Sequence, residues 1–265
     1  MSNKRFLSFI ASLFSILLFS TAPAFGAHPL LTDDTITQGK GKTQIEMSYQ
    51  YDSNNDDGIK TEASRPKVQL TYGLLDPLDV ILEIPYLFIQ QTQGGVTTSN
   101  DGIGDITLSM KWRFYGEKEK GLQFAIKPSV TFPTGDEAKG LGFGREAYGI
   151  TFISTFEREE WCVSANLGYL YNDNGLQSSR DAYRPSIWSA SLSGQYEPVE
   201  KLWLVGEVGV LSNPAVIMSD TPLAFINVGV IYELTKSVDL DVGYKYGLTK
   251  PAVDYTISGA VTVRF

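Results

Sequence analysis

His28 and Cys162 are the only residues of their types in this 265-residue chain, and both bear on whether it does chemistry. Hydrolytic sites pair a nucleophile with a base, which is most often histidine. His28 precedes every candidate strand, so it is badly placed to serve a site at the membrane face. Cys162 follows Trp161 inside an alternating segment, with no histidine in that segment to activate it. We therefore predict no catalytic residue, and an enzyme is the least favoured of three function classes.

Two stretches imitate ligand-binding loops. DSNNDDG at 52–58 resembles the acidic half of a calcium loop. That motif needs glycine at position six and glutamate at position twelve, where this chain has Asp57 and Ala63. GLGFG at 140–144 is glycine-rich, but no helix is predicted to follow it, as a phosphate cradle requires. We predict a solvated acidic outer loop at 52–58, and neither a metal nor a cofactor.

The start of the chain has the pattern of a secretory signal peptide. Lys4 and Arg5 precede an apolar run at 6–19, and small residues follow at 22–27. The run is shorter than the roughly 20 residues of a spanning helix. We expect cleavage near 24–27, with 1–26 as the signal peptide and 27–265 as one barrel domain. A single cysteine leaves an exported chain without an internal disulfide.

The chain is acidic, with a formal net charge of -8. Loss of Lys4 and Arg5 with the signal peptide would make it more acidic still. Nucleic-acid binding needs a basic surface, so we predict no nucleic-acid partner.

Short segments in which apolar and polar residues alternate fill the rest of the chain. In the last, YTISGAVTVRF at 255–265, Ile257 and Val261 share one face, and Thr256 and Thr262 share the other. Twelve such segments are joined alternately by short turns and by long loops, which lie at 52–64, 91–104, 133–147, 172–186, 212–221 and 247–254. This pattern is typical of outer-membrane barrels. The fold predicted is all-β: a transmembrane, antiparallel, up-and-down β-barrel of about 12 strands.

Aromatic residues near the strand ends indicate a membrane. Tyr72, Trp112, Phe114, Phe156, Trp161, Tyr196, Tyr232 and Phe265 fall at the short-turn ends, and a second set, including Tyr49, Phe88, Trp188 and Tyr246, falls at the long-loop ends. Two such belts match the two bilayer interfaces, whereas a soluble sandwich would carry rings throughout its core. We predict the bacterial outer membrane, with its lipid as one partner. The terminal Phe265 resembles the signal that the outer-membrane assembly machinery reads, and ordinary strand chemistry is the alternative.

The opposite face of the strands is polar and would face the lumen. The charged positions predicted to line it are Glu83, Lys111, Arg113, Lys127, Glu207, Glu233, Asp239, Asp241 and Arg264. Near balance of the two signs argues against a strongly anion-selective pore. The charges could instead pair and fill the bore, because eight-stranded barrels are filled and sixteen-stranded ones are open. Leu87, Ile89, Trp203 and Phe225 also fall on this face and could narrow a passage.

Three stretches carry a family resemblance: HPLLTDDTITQGKGKTQIE at 28–46, GIGDITLSMKWRFYGE at 102–117 and PTGDEAKGLGFG at 133–144. They resemble the family of outer-membrane transporters named for the meta pathway of phenol degradation. The resemblance implies a β-barrel that passes small compounds, aromatic or hydrophobic ones among them. It supplies no binding residues.

Two function classes fit these observations better than an enzyme does. The first is a porin-like channel for passive uptake of small solutes. The second is a structural or adhesive barrel with a plugged lumen. Both need the same polar inner face, so the sequence separates them poorly.

Overall fold

The computed structural model describes residues 28–117, 120–216 and 220–265, so the predicted signal peptide lies outside it. The described residues form thirteen strands: β1 (Thr43–Asp56), β2 (Ile59–Leu75), β3 (Leu78–Gln93), β4 (Val96–Ile103), β5 (Ile106–Glu117), β6 (Lys120–Phe132), β7 (Ala147–Glu157), β8 (Trp161–Asn172), β9 (Ser186–Val199), β10 (Leu202–Leu211), β11 (Leu223–Thr235), β12 (Val238–Gly247) and β13 (Tyr255–Arg264). A short helix, α1 (Gln177–Ala182), separates β8 from β9, and a 3-10 turn (Glu137–Lys139) separates β6 from β7.

The sheet closes on itself. Antiparallel pairing links neighbouring strands around the ring, and β13 returns to pair with β1 from Gln44 opposite Arg264 to Ser53 opposite Tyr255. The main chain of Phe265 extends the closure, because its N–H donates to the Thr43 carbonyl at 2.9 Å. A closed wall leaves no unpaired edge in lipid. The predicted barrel is confirmed.

Strands β4 and β5 together occupy one position in the wall. The first part of β3, Leu78–Glu83, pairs with β5, and the second part, Tyr86–Gln93, pairs with β4. Between the pair Tyr86–Ile103 and the pair Glu83–Thr107, β3 advances three residues while its partner advances four. The extra residue marks a bulge-like break at 104–105. The barrel therefore has twelve strand positions, one of them interrupted.

Strands β1 to β4 extend further toward the long-loop end of the barrel than predicted. We expected loops at 52–64 and 91–104, whereas β1 and β2 continue to a tight turn at Asp57–Gly58, and β3 and β4 to one at Gly94–Gly95. All four of these turn residues have positive φ, the conformation of a two-residue hairpin turn. The loop prediction was wrong because these polar extensions lie beyond the apolar belt, where strands need no lipid-facing alternation.

The outer surface is apolar and the interior is polar. Leu70, Val228 and Val242 are exposed along the wall, as are the belt residues Trp112 and Tyr196. The largest fully buried side chains are mostly polar, and include Gln123, Asn213, Thr155 and Asp52. In the part of the chain described, no helix is long and apolar enough to cross a membrane.

Candidate functional site: a lumen filled by the N-terminal segment

Residues 28–38, here called the plug, lie inside the barrel ahead of β1. Leu30, Thr32, Asp33, Thr35 and Thr37 are all at most 4% exposed. The plug belongs to none of the strands. Buried backbone polar groups need partners, and inward-facing side chains of the wall supply many of them.

The centre of the plug is held by two buried ammonium groups. Lys127 Nζ lies 2.8 Å from Asp33 Oδ2, and Lys111 Nζ lies 3.2 Å from Asp33 Oδ1. Both lysines are at least nine-tenths buried. With its amide oriented to satisfy both partners, Asn166 accepts from the Asp33 N–H at 2.6 Å and donates to its carbonyl at 2.9 Å. One plug residue thus contacts three strands of the wall, β5, β6 and β8.

Glu207 on β10 holds the preceding residues. Its carboxylate accepts from the N–H groups of Leu31 and Thr32, at 2.7 and 2.8 Å, and from the Thr32 hydroxyl at 2.7 Å. Asn227 donates both to Glu207 and to the Pro29 carbonyl, at 2.9 and 2.8 Å. Hydrogen bonds to an ionised acceptor are stronger than neutral ones, so Glu207 is a main anchor of the plug.

Glycines make room for the start of the plug. Gly229 and Gly243 are paired across β11 and β12, and a methyl group on either would lie 2.7 Å from side-chain atoms of Pro29. The neighbouring His28 imidazole contacts the Asp241 carboxylate. Absent side chains at two wall positions therefore form a niche for a proline ring.

The plug leaves the lumen at the short-turn end. The Thr35 N–H donates to the Thr155 hydroxyl at 3.1 Å, and the Thr35 hydroxyl donates to Gln123 at 3.0 Å. Further along, the Gln38 N–H donates to the Asp79 carboxylate at 3.0 Å. The chain then passes the turn between β2 and β3 and enters β1.

Four of the nine predicted lumen residues contact the plug: Lys111, Lys127, Glu207 and Asp241. The other five have wall partners: Glu83 pairs with Lys67, Asp239 with Arg264, Glu233 with the Trp203 indole N–H, and Arg113 with Gln123. Glu83, Arg113 and Asp239 are buried, whereas Arg264 is exposed at the short-turn end. Their lining of a conducting pore stays a prediction.

Sequence reasoning missed both the plug and Asp52. The predicted solvated loop is wrong at Asp52, which is 1% exposed. Its carboxylate accepts from the Thr256 hydroxyl at 2.5 Å and lies 3.3 Å from Arg65. The signal was present, because Asp52 continues the inward alternation of Glu46, Ser48 and Gln50 along β1.

An apolar cluster lies at the long-loop mouth of the barrel. Its buried members are Ala63, Leu87, Ile89 and Leu141, with Val253 packed against them. Leu141 comes from the loop between β6 and β7, and Val253 from the loop between β12 and β13. Two outer loops therefore fold inward against β2 and β3. Leu87 and Ile89 had been predicted to face inward.

Asp105 fastens the first of these loops. It lies between β4 and β5, and its carboxylate accepts from the N–H groups of Gly135 and Phe143, at 2.8 and 2.7 Å. Burial raises the pKa of Asp105 above its ordinary value, although the two N–H donors act against the shift. The carboxylate therefore ties the loop down at the cost of its own solvation.

The two residues weighed for catalysis contact different groups. His28 contacts Asp241, while the Cys162 sulfur lies 3.8 Å from the Ser164 hydroxyl. Within the described residues, no group of three His, Cys, Asp or Glu side chains could hold a metal ion.

Residues 31–265 match the family model described as "Putative MetA-pathway of phenol degradation". The chain belongs to this family. The fold of this phenol-degradation family member is shared with three solved structures. An outer membrane channel from Pseudomonas putida F1 is 18% identical with a TM-score of 0.68, covering 88% of this chain and 98% of its own. The NanC porin is 9% identical with a TM-score of 0.56, covering 83% and 98%. The β domain of the Bordetella autotransporter BrkA is 9% identical with a TM-score of 0.54, covering 84% and 99%.

A comparison with curated proteins found no match. At these identities, the structural likeness establishes the fold. Together with the exposed apolar belt, the barrel places this phenol-degradation family member in the bacterial outer membrane.

Proposed function

We propose that the protein is a passive outer-membrane channel for small solutes, closed at rest by the plug. The observation that carries this proposal is that a separate chain segment fills the lumen. Small barrels are filled by side chains of their own wall. Here a twelve-position wall encloses enough space for a chain segment.

The contacts of the plug favour a removable segment. They are ion pairs and hydrogen bonds to side chains such as Lys127, Glu207 and Asn227. In the described residues, no strand ladder joins the plug to the wall. Displacement would therefore leave the barrel hydrogen bonds intact, and water could solvate the exposed polar groups.

The apolar residues at the long-loop mouth favour the proposal that small hydrophobic or aromatic compounds are among the solutes. A solute from outside would first meet the cluster of Leu87, Ile89, Leu141 and Val253, and then the polar groups around the plug. A path that is first apolar and then polar suits molecules that have both an apolar body and a polar group. Phe225 adds a ring beside Lys245, whose Nζ lies 5.6 Å from the ring centroid.

A plugged structural or adhesive barrel is the second candidate. It is favoured by the pairing of the plug charges, since Asp33 is met by two lysines. Such a barrel would never open, whereas a channel opens when the plug contacts weaken.

Single-channel recording of the refolded full chain in planar bilayers separates the two. The double variant Lys111→Ala/Arg113→Ala removes one partner of Asp33, and one partner of the glutamine that also holds Thr35. We expect brief, low-conductance openings in the wild type and longer ones in the double variant. Silence in both, for protein shown to be folded by its gel mobility before and after boiling, would favour the structural barrel.

A further inference from the structure

Two adjacent plug residues are bound by wall groups of opposite charge. The Asp33 carboxylate lies on Lys111 and Lys127, and the Thr32 N–H and hydroxyl lie on Glu207. These three wall side chains are 7%, 3% and 4% exposed. Each is a charged, buried group in contact with the plug. Lys127 contacts Asp33, and Lys111 also lies 3.3 Å from the Asp34 carbonyl and 3.7 Å from its carboxylate. Glu207 also accepts from the Leu31 N–H.

These wall groups come from different sides of the lumen. Lys111 and Lys127 are on β5 and β6, whereas Glu207 is on β10, four positions further around the ring from β6. Thr32 and Asp33 bridge the two sides, and Asn166 on β8 holds the Asp33 main chain between them. The distance between Glu207 and the two lysines therefore fits a ligand whose N–H donor and carboxylate belong to two consecutive residues, as in Thr32–Asp33.

The arrangement has the properties of a binding site occupied from within. Charge-assisted hydrogen bonds define both ends, and their rigid supports define the distance between them. When the plug leaves, its carboxylate is taken away from both ammonium groups, and its donors from Glu207. Buried charges that lose partners are costly unless a new ligand or water replaces them.

We propose that these groups bind small solutes carrying a carboxylate and an N–H donor about one residue apart, with Thr32–Asp33 as the internal stand-in. This inference rests on the proposed function, since a solute can bind there only when the plug has moved. It names a solute class that the channel retains during passage. The apolar cluster at the mouth is a separate feature, nearer the outside.

A matched pair of probes tests the site: N-acetyl-L-threonyl-L-aspartate α-amide, which carries the threonine N–H and hydroxyl together with the aspartate carboxylate, and its asparagine counterpart, which lacks only the side-chain carboxylate. The current through the full-length variant Thr32→Ala/Asp33→Ala would be recorded with each probe. We expect half-block by the aspartate probe at a concentration about tenfold lower, because hydrogen bonds to charged groups are worth more than neutral ones. Adding Lys127→Met should abolish this preference, and the wild type should show a weaker one, because its plug competes.

The outcomes separate this inference from the channel proposal. A folded Thr32→Ala/Asp33→Ala variant that carries no current would overturn both. A variant that conducts but responds equally to the two probes would overturn the binding site alone, as would a preference that survives Lys127→Met. If the alanine variant does not fold, Thr32→Val/Asp33→Asn keeps the side-chain volumes and serves the same comparison.

Discussion

Gly229 and Gly243 face each other across β11 and β12, and the Pro29 side chain lies over both. The wall of the barrel is therefore shaped to receive the plug. Gly243 is the better position for a substitution, because an added methyl group would meet only side-chain atoms, of Pro29 at 2.7 Å and of Ser258 at 3.0 Å. At Gly229 it would also meet the main-chain oxygen of Val242.

Gly243→Ala should push the plug away from the wall. Overpacking of this kind costs about 1 to 3 kcal/mol. Because the clash exists only when the plug is in place, it destabilises the plugged state, and the open fraction in bilayer recordings should rise. Gly194→Ala is the matched control, since Gly194 is an exposed strand glycine with nothing within 4 Å of an added methyl group. Equal conductance in the wild type and both variants would show that Pro29 does not need this niche.

Removing the plug carboxylate should change ion preference. In Asp33→Ala, Lys111 and Lys127 lose the acid that lies 3.2 and 2.8 Å away, so the reversal potential in a salt gradient should shift toward anions. Lys111→Ala/Arg113→Ala should shift it toward cations. Glu159→Ala, at an exposed position in the short turn between β7 and β8, is the control and should leave it unchanged. A shift of the same sign in both lumen variants would refute this assignment of charges.

How much the sequence predicts depends on whether lipid constrains it. Alternation alone puts Ile257 and Val261 on the apolar face of the last strand, because lipid requires every second residue of a spanning strand to be apolar. Strand β4, VTTSNDGI, has no such alternation, since it continues the hairpin outside the apolar belt. It was missed for that physical reason.

The plug could not be predicted from a local pattern. HPLLTDDTITQ has neither the two-residue period of a strand nor the 3.6-residue period of a helix. Some of its partners are more than a hundred residues away along the chain, as with Thr32 and Glu207. Lys111, Lys127 and Glu207 could be placed on the inner face, but nothing in their own strands indicated that a segment of the same chain would bind them. Charge pairing across a lumen is a three-dimensional property.

Acid should strengthen the folded state through Asp105. Because burial raises its pKa above the ordinary 3.8, its contribution is fully present below that ordinary value and is lost as pH rises through the higher folded value. The free energy of unfolding of the wild type, minus that of Asp105→Asn, should therefore fall as the pH rises above 3.8. Urea titrations at several pH values measure it, and a difference that rises with pH would contradict the assignment.

Phe265 should matter more to assembly in cells than to stability. Its ring is 71% exposed, whereas its main chain exchanges hydrogen bonds with Thr43 at 2.9 and 3.2 Å. Phe265→Ala keeps those bonds, so we expect refolding in detergent close to the wild type and a lower yield in the outer membrane. Tyr232→Ala, which removes an exposed ring of the same belt, is the control. Refolding that fails as badly as assembly would make the ring mainly structural.

The most direct test of the account is to fasten the plug and release it. The Thr32 and Ser191 hydroxyl oxygens lie 2.9 Å apart, so Thr32→Cys/Ser191→Cys, made with Cys162→Ala, offers a disulfide between plug and wall. Mass spectrometry would confirm the bond, and Thr32→Cys/Cys162→Ala would control for effects of reductant. Single-channel conductance of the same protein before and after reduction is the measurement. We predict a silent oxidised form and openings on reduction, and openings of equal size and frequency in both forms would contradict the claim that the plug closes the channel.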